Sequence, residues 1–415
     1  MNKNSSVAVV IHIITAVCIY LLLYHLKIIN ILPDNINLVN WDAKFHKSIV
    51  DRGYEYVAYR GTNLAFFPLF PLLWKVTSFS AVAISIANAL IFMMSFILLM
   101  RNDKSLLITN LLILSIPSFI FFALPYSESI FFAFATLIIV GYKSKSNLWL
   151  FIGFFGASLV KSASVIFIPA IFITQFVAHS HKENTQSQIK QIILCSLSSL
   201  TGMCVAASVQ AYQTGKWFYF IEIQKYWGRH WIIPELPLTT LSAERILGID
   251  SIALILGMLA MYKCFYWLYI YFINTPPYKE RPEAPVLFSA LYLSASTFLD
   301  LFFTYNDNGA GNIWSLNRHF FCSPFVVIFL VWIIREYNPV KKELSGLIIL
   351  VLTGIYLTGV YRYPILALYY LLFFLTLWIM KFYPRLTKYM AITYLISLGF
   401  QLQFFKDFIS DEWIG

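Results

Sequence analysis

The sequence predicts an all-α polytopic membrane protein, and three observations carry that expectation. Of its 415 residues, 59% are hydrophobic and only 12% charged, where a soluble domain carries about a quarter charged residues. Mean hydropathy is +0.71, and apolar runs near the length of a bilayer crossing recur along the whole chain. Between those runs, short basic stretches alternate with long polar, aromatic-rich ones. In hydrocarbon every backbone N–H and C=O must pair within its own segment, so the runs are read as helices. The chain is treated as one domain, residues 1–415, with about 11–13 membrane helices.

Taken in order, the spans fall at 7–26, 81–100, 105–122, 129–142, 148–160, 163–179, 192–213, 251–274, 286–304, 319–336, 344–361, 364–380 and 390–406. The first follows Lys3 and lacks a small-residue cleavage site, so it is expected to stay as a helix. Residues 27–80 make the first external loop. Within it, 43–60 is expected to form an interfacial helix, with Phe45, Ile49 and Gly53 on one side and Lys44, Lys47 and Asp51 on another. The stretch 63–76 carries Pro68 and Pro71 among aromatics. It is expected either to lie along the membrane as an aromatic surface or to pack as an ordinary re-entry into the next helix. The run 129–142 and the pair flanking Lys161 are short for a crossing, which leaves tilted, re-entrant and merged helices open. A second long external loop spans 214–250, with shorter turns at 123–128 and 305–318.

Placing the amino terminus in the cytoplasm and alternating puts Arg101, Lys104, Lys143, Lys145, Lys182, Lys190, Lys279, Arg281, Lys341, Lys342, Lys381, Arg385 and Lys388 in the cytoplasmic loops. Every one of those loops is basic, which is the positive-inside pattern. It accounts for much of the net charge of +10 without nucleic acid as a partner. The five cysteines show no C-x-x-C and no metal spacing, and read as small buried hydrophobes. There is no Walker A loop, no G-x-G-x-x-G after a strand and no H-E-x-x-H. The "NDN" run at 306–308 holds a single acid, so neither a metal nor another cofactor is expected.

The polar residues that interrupt the oil cluster on the side expected to face outward. Asp42 directly follows Trp41, and His46 stands four residues on, the spacing that puts both on one helical face. A carboxylate there can take a proton from an attacking hydroxyl; it can equally cap the helix. In "ALPYSESIFF" (123–132), Tyr126, Ser127 and Glu128 break an apolar run, and an acid in such a place needs a partner or solvent. Glu128 could bind acceptor hydroxyls or orient a basic residue, or belong to a solvated turn. Lys161, Arg229, His230, Arg318, His319 and Arg362 run against the positive-inside trend. They suit a phosphate or pyrophosphate headgroup, or snorkelling to the interface.

Three stretches in order resemble a known family: "WDAKFHKSIVDRGYEY" (41–56), "NLAFFPLFPLL" (63–73) and "YSESIFF" (126–132). They are similar to the PIG-V family, the second mannosyltransferases of glycosylphosphatidylinositol (GPI) assembly, and its bacterial homologues. "QKYWGRH" (224–230) and "NRHFFCSPF" (317–325) agree more loosely. The resemblance implies a GT-C glycosyltransferase working on the lumenal or periplasmic face. Its membrane would be the endoplasmic reticulum in a eukaryote or the inner membrane in a bacterium. It implies a polyprenyl-phosphate sugar donor, in this family dolichyl-phosphate mannose, inversion at the anomeric carbon, and a lipid-linked glycan acceptor. It also leaves room for a small membrane partner subunit. The catalytic carboxylate of the first external loop falls on Asp42, and the Y-S-E element on Tyr126, Ser127 and Glu128. A basic position after the fifth span falls on Lys161, where relatives often carry arginine. Donor and acceptor contacts are thus expected from His46, Tyr126, Glu128, Lys161, Arg229, His230, Arg318 and His319. Two competing readings are a lipid-linked-sugar transporter, with charges such as Asp300, Lys161 and Lys263 inside the spans, and a non-catalytic subunit of a transferase complex.

Overall fold

The computed structural model describes residues 3–178, 185–273, 281–304 and 311–415. Lys182, Lys279 and the "NDN" run lie outside the described residues. The chain forms helices α1 (Lys3–His25), α2 (Asp42–Arg52), α3 (Leu69–Thr77), α4 (Ala81–Leu99), α5 (Leu107–Leu114), α6 (Glu128–Ser144) and α7 (Asn147–Val160). There follow α8 (Phe167–Val177), α9 (Thr185–Thr214), α10 (Tyr219–Glu222), α11 (Leu247–Ile273), α12 (Ala284–Phe302) and α13 (Leu316–Phe321). The last four are α14 (Pro324–Arg335), α15 (Lys341–Leu357), α16 (Pro364–Phe382) and α17 (Ala391–Ile409). Two-residue strands β1 (His230–Trp231) and β2 (Phe303–Thr304) pair antiparallel, His230 opposite Thr304.

The all-α membrane character holds, while the helix count differs from the expected 11–13. Among the described residues, six helices are long and apolar enough to cross a membrane: α1, α4, α9, α11, α12 and α16. The 3-10 turn Pro117–Ala123 and α6 together could supply a seventh, but they meet at a 102° bend. Asn147–Val160, Ser162–Val177 and Pro324–Arg335 are apolar but shorter. Breaks explain the difference. The expected span 105–122 is split, because α5 stops at Leu114 and Pro117 starts a tighter turn. Lys161 takes an extended conformation and separates α7 from the turn Ser162–Ile166. Toward its end α17 carries Gln401, Gln403, Lys406 and Asp407, which lowers its hydropathy.

The interfacial helix of the first loop also differs in detail. It runs only from Asp42 to Arg52 and stops at Gly53, which has φ +83°. A side chain at Gly53 would meet only the end of the flexible Gln213 side chain, so it is the positive φ that favours glycine there. The inward face is Ala43, His46 and Ile49, while Phe45 stacks on Phe66 at 5.2 Å. Pro68 precedes α3 and Pro71 lies in its first turn, where a missing N–H costs no helical bond. Phe70 and Trp74 on α3 are buried, and Leu72, Leu73 and Val76 are exposed.

Polar side chains, of which Gln210 and Asn40 are buried, fasten this loop to distant segments. Gln210 of α9 donates to the Leu64 and Phe66 carbonyls, both at 3.1 Å. Gln213 accepts from the Tyr54 N–H at 2.6 Å. Asn40 donates to the Phe408 carbonyl at 3.0 Å, and Lys44 pairs with Asp411 at 3.2 Å. The segments around 40–66, 126–128, 161, 213, 238–250, 311–319, 357 and 407–415 therefore gather at one end of the molecule.

Candidate active site

Four side chains from widely separated segments form one ion cluster at that end. Arg318 Nη1 donates to Asp42 Oδ2 at 2.5 Å, and Arg318 Nε donates to Glu128 Oε1 at 2.7 Å. Lys161 Nζ donates to the same Glu128 oxygen at 2.9 Å. Two acids thus face two bases, and the cluster is formally neutral. Glu128 is fully buried, whereas the side chains of Asp42 and Lys161 keep 18% and 17% of their surface. The cluster therefore opens to solvent at its Asp42 and Lys161 edges and is dry at Glu128. Isolated charges in such a place would be prohibitively costly, and mutual pairing is what makes their burial tolerable.

Local structure explains how each group is held. Trp41, with φ +51°, is the residue before α2 and provides no side-chain cap. Asp42 is the first helical residue, so its carboxylate is committed to Arg318 and not to capping the helix. Its backbone N–H donates to the Tyr126 hydroxyl at 3.3 Å. Among the described residues Asp42 Oδ1 has no protein hydrogen bond and is not a buried atom. The carboxylate is thus fixed through one oxygen and available through the other.

The turn 123–128 is not solvated. Tyr126, Ser127, Glu128 and Ser129 are all buried. Asn88 of α4 donates to the Leu124 and Tyr126 carbonyls at 2.6 and 2.9 Å, and Ser129 donates to the Phe122 carbonyl at 2.9 Å. Those bonds aim Glu128 inward. The guanidinium of Arg318 lies 4.5 Å from the Tyr126 ring centroid and 5.3 Å from that of Phe121. The aromatic faces add attraction and fix the plane of the fork. Glu128 Oε2 is buried and unpartnered among the described residues, so a water or a ligand donor is needed to satisfy it.

His46 shares the inward face of α2 but is not an exposed ligand. It is 1% exposed, and among the described residues neither ring nitrogen has a hydrogen-bond partner. Its ring packs edge-on to Phe66 and Phe70 at 5.0 and 4.9 Å. Burial pushes its pKa down to about 4, because the charged imidazolium cannot be solvated there. His319 binds both Asp300 oxygens through Nδ1, at 2.9 and 3.0 Å. Arg229 and His230 stand apart. His230 is exposed on β1 with Nδ1 near its own chain's Gly228 carbonyl, and neither residue shares a bond with the ion cluster. Arg362 is exposed beside Tyr361. The charges considered for a transport path are all paired: Asp300 with His319, Lys161 with Glu128, and Lys263 with Glu343 at 2.7 Å.

Other groups around the site escape sequence reasoning. Trp413 lies edge-on between Trp41 and Trp314, each at 5.0 Å. Arg245 reaches Asp407 and Glu412 at 3.3 and 3.5 Å. Asn88 and Asp250 are buried polar residues inside helices, and that mismatch with an apolar run is the signal that could have drawn attention to them. No family model, no curated protein and no solved structure matches this chain.

Proposed function

We propose that the chain is an inverting membrane glycosyltransferase. In this reading it moves mannose from a polyprenyl phosphate, of the dolichyl phosphate type, to a hydroxyl of a lipid-linked glycan, as in GPI assembly or in a bacterial counterpart. The observation that carries the reading is Asp42 held by Arg318 through one oxygen, with the other left open at the edge of the membrane helices. The sequence resemblance supplies the donor class and the sugar.

The chemistry then runs in one displacement. Asp42 Oδ1 takes the proton of the acceptor hydroxyl as that oxygen attacks the anomeric carbon. The bond from that carbon to the phosphate oxygen breaks on the opposite face, and polyprenyl phosphate leaves with the electron pair. Inversion follows from that geometry. Arg318 keeps Nη2 without a protein hydrogen bond among the described residues, and Lys161 is bonded through only one of its three N–H groups. Those donors suit the charge that develops on the leaving phosphate. Glu128 Oε2 suits an acceptor hydroxyl or a bridging water.

The test uses membranes containing the full chain and a radiolabelled polyprenyl-phosphate mannose. Asp42→Asn keeps the shape of the side chain but removes the base, and transfer is expected to fall by about 10²–10⁴-fold at unchanged expression. Turnover retained at the wild-type level would remove Asp42 from the reaction and overturn the proposal. Analysis of the labelled product identifies the acceptor.

A further inference from the structure

We infer that Asp250 is a positioning residue that aims Arg318 at Asp42 through Asn317; the inference rests on the transferase reading above. Arg318 belongs to α13, a helix of six residues that starts from Ser315 at φ +69° with no side-chain cap. So short a helix has almost no stability of its own. Its place, and the direction of Arg318, must therefore come from tertiary bonds.

Asp250, in the first turn of α11, provides them. Its Oδ1 accepts the Asn317 backbone N–H at 2.7 Å and the Asn317 Nδ2 at 2.8 Å. Its Oδ2 accepts the Thr240 hydroxyl at 2.9 Å. Asn317 Oδ1 in turn accepts the Ser118 hydroxyl at 2.9 Å. All four residues are buried. Asp250 thus does for α13 what a capping side chain does from within, taking an N–H that the first turn leaves free. The Ser118 bond ties the same asparagine to the turn Pro117–Ala123, which carries Phe121 beneath the Arg318 guanidinium. One residue, Asn317, is locked on both sides, and the next residue is the arginine that holds Asp42. Asp250 and Thr240 come from outside the ion cluster and touch none of its charges directly. Their contacts reach the cluster through the position of α13.

A carboxylate is suited to this task because it only accepts, and three donors converge on it. An asparagine in its place can keep the two bonds at Oδ1 and present its amide N–H to the Thr240 oxygen, so Asp250→Asn should conserve the clamp. Asp250→Ala removes it and leaves the Asn317 donors unmatched.

The experiment measures transfer by the full chain in membranes with polyprenyl-phosphate mannose. Asp250→Ala is expected to lower kcat by about 10- to 100-fold, the scale of a misplaced catalytic group, with the donor KM within about threefold of wild type. Asp250→Asn is expected to stay within about threefold of wild-type kcat. In an Arg318→Lys background, where the aim of the fork is already lost, Asp250→Ala should add less than about threefold. Fully multiplied losses in the double variant, or an asparagine variant as impaired as the alanine one, would overturn the inference. If Asp250→Ala does not fold, Asn317→Ala takes its place with the same expected non-additivity, since it trims the clamp and leaves the backbone bond. An active Asp42→Asn protein would sink the transferase reading itself, whereas an inactive Asp42→Asn alongside an unimpaired Asp250→Ala would sink only this inference.

Discussion

Glu128 is the residue on which the ion cluster depends. It is fully buried and gives one oxygen to both Arg318 and Lys161. Replacing it by glutamine preserves volume but leaves two cations facing one carboxylate in a desolvated place. Breaking a buried pair from one side costs about 3–5 kcal/mol, so Glu128→Gln should lower the thermal unfolding temperature in detergent markedly. Adding Arg318→Gln restores charge balance and should recover part of the loss. A double variant no more stable than the single one would show that charge is not what Glu128 supplies. Asp42 and Glu128 stood out in the sequence because a carboxylate in an oily chain needs a reason. Arg318 stood out as a basic residue on the unexpected side. Their pairing was not legible, since Arg318 and Asp42 lie 276 positions apart and no spacing rule reaches that far. The i,i+4 spacing puts His46 on one helical face with Asp42, which suits a substrate contact. The structure instead packs it among rings, and one-dimensional periodicity reports a shared face without saying what covers that face.

At the scale of the element, α2 is held by apolar packing around a histidine that stays neutral. His46 lies in the loop between α1 and α4, outside the membrane-spanning helices, and its pKa in the folded protein is about 4 against 6.5 in the open chain. Between those values the unfolded chain binds a proton that the folded one refuses, so stability falls as pH drops from 6.5 toward 4. Above pH 6.5 the group contributes no pH dependence. The full difference corresponds to about 3 kcal/mol. Thermal unfolding in detergent at pH 7 and pH 4.5 should therefore show a larger loss for wild type than for His46→Leu, which has no proton to gain. Equal losses would mean that acid weakens the fold elsewhere. The same element shows why helix boundaries were partly legible. The amphipathic pattern located α2, but the expected extent to residue 60 was too long. Gly53, at φ +83°, ends the helix, and the next N–H, that of Tyr54, is taken by Gln213 of α9, a tertiary bond absent from the local pattern. Proline breaks such as Pro117 were visible in principle, yet hydropathy alone ran through them and gave one span where there are two short pieces.

On the scale of the whole molecule, charge bias and contacts divide the chain in the same way. Asn4 donates to the Ser105 carbonyl at 3.2 Å, and Arg335 pairs with Asp103 at 3.0 Å. These contacts join segment 3–4, the basic stretch 101–104 with Ser105 at the start of the next expected span, and Arg335 at the cytoplasmic end of the expected span 319–336. The segments that meet at Asp42, Glu128, Lys161, Arg245 and Arg318 are those expected on the opposite face. Alternation needs only the sign of each loop, so it groups segments by side without fixing any individual pairing. The proposal requires the Asp42 end to face away from the cytosol, because the positive-inside bias places the basic loops 101–104 and 381–388 within it. Tyr59 and Tyr389 provide the test, being 82% and 63% exposed on the two expected sides. In a chain whose own cysteines are serines, Tyr59→Cys should react with a membrane-impermeant maleimide applied to intact cells or to sealed vesicles with the lumenal or periplasmic face outward. Tyr389→Cys should react only after permeabilisation. The reverse pattern would put the Asp42 carboxylate in the cytosol, where a lumenal or periplasmic lipid-borne sugar cannot reach it, and the assignment of Asp42 as the base for that donor would fall with it.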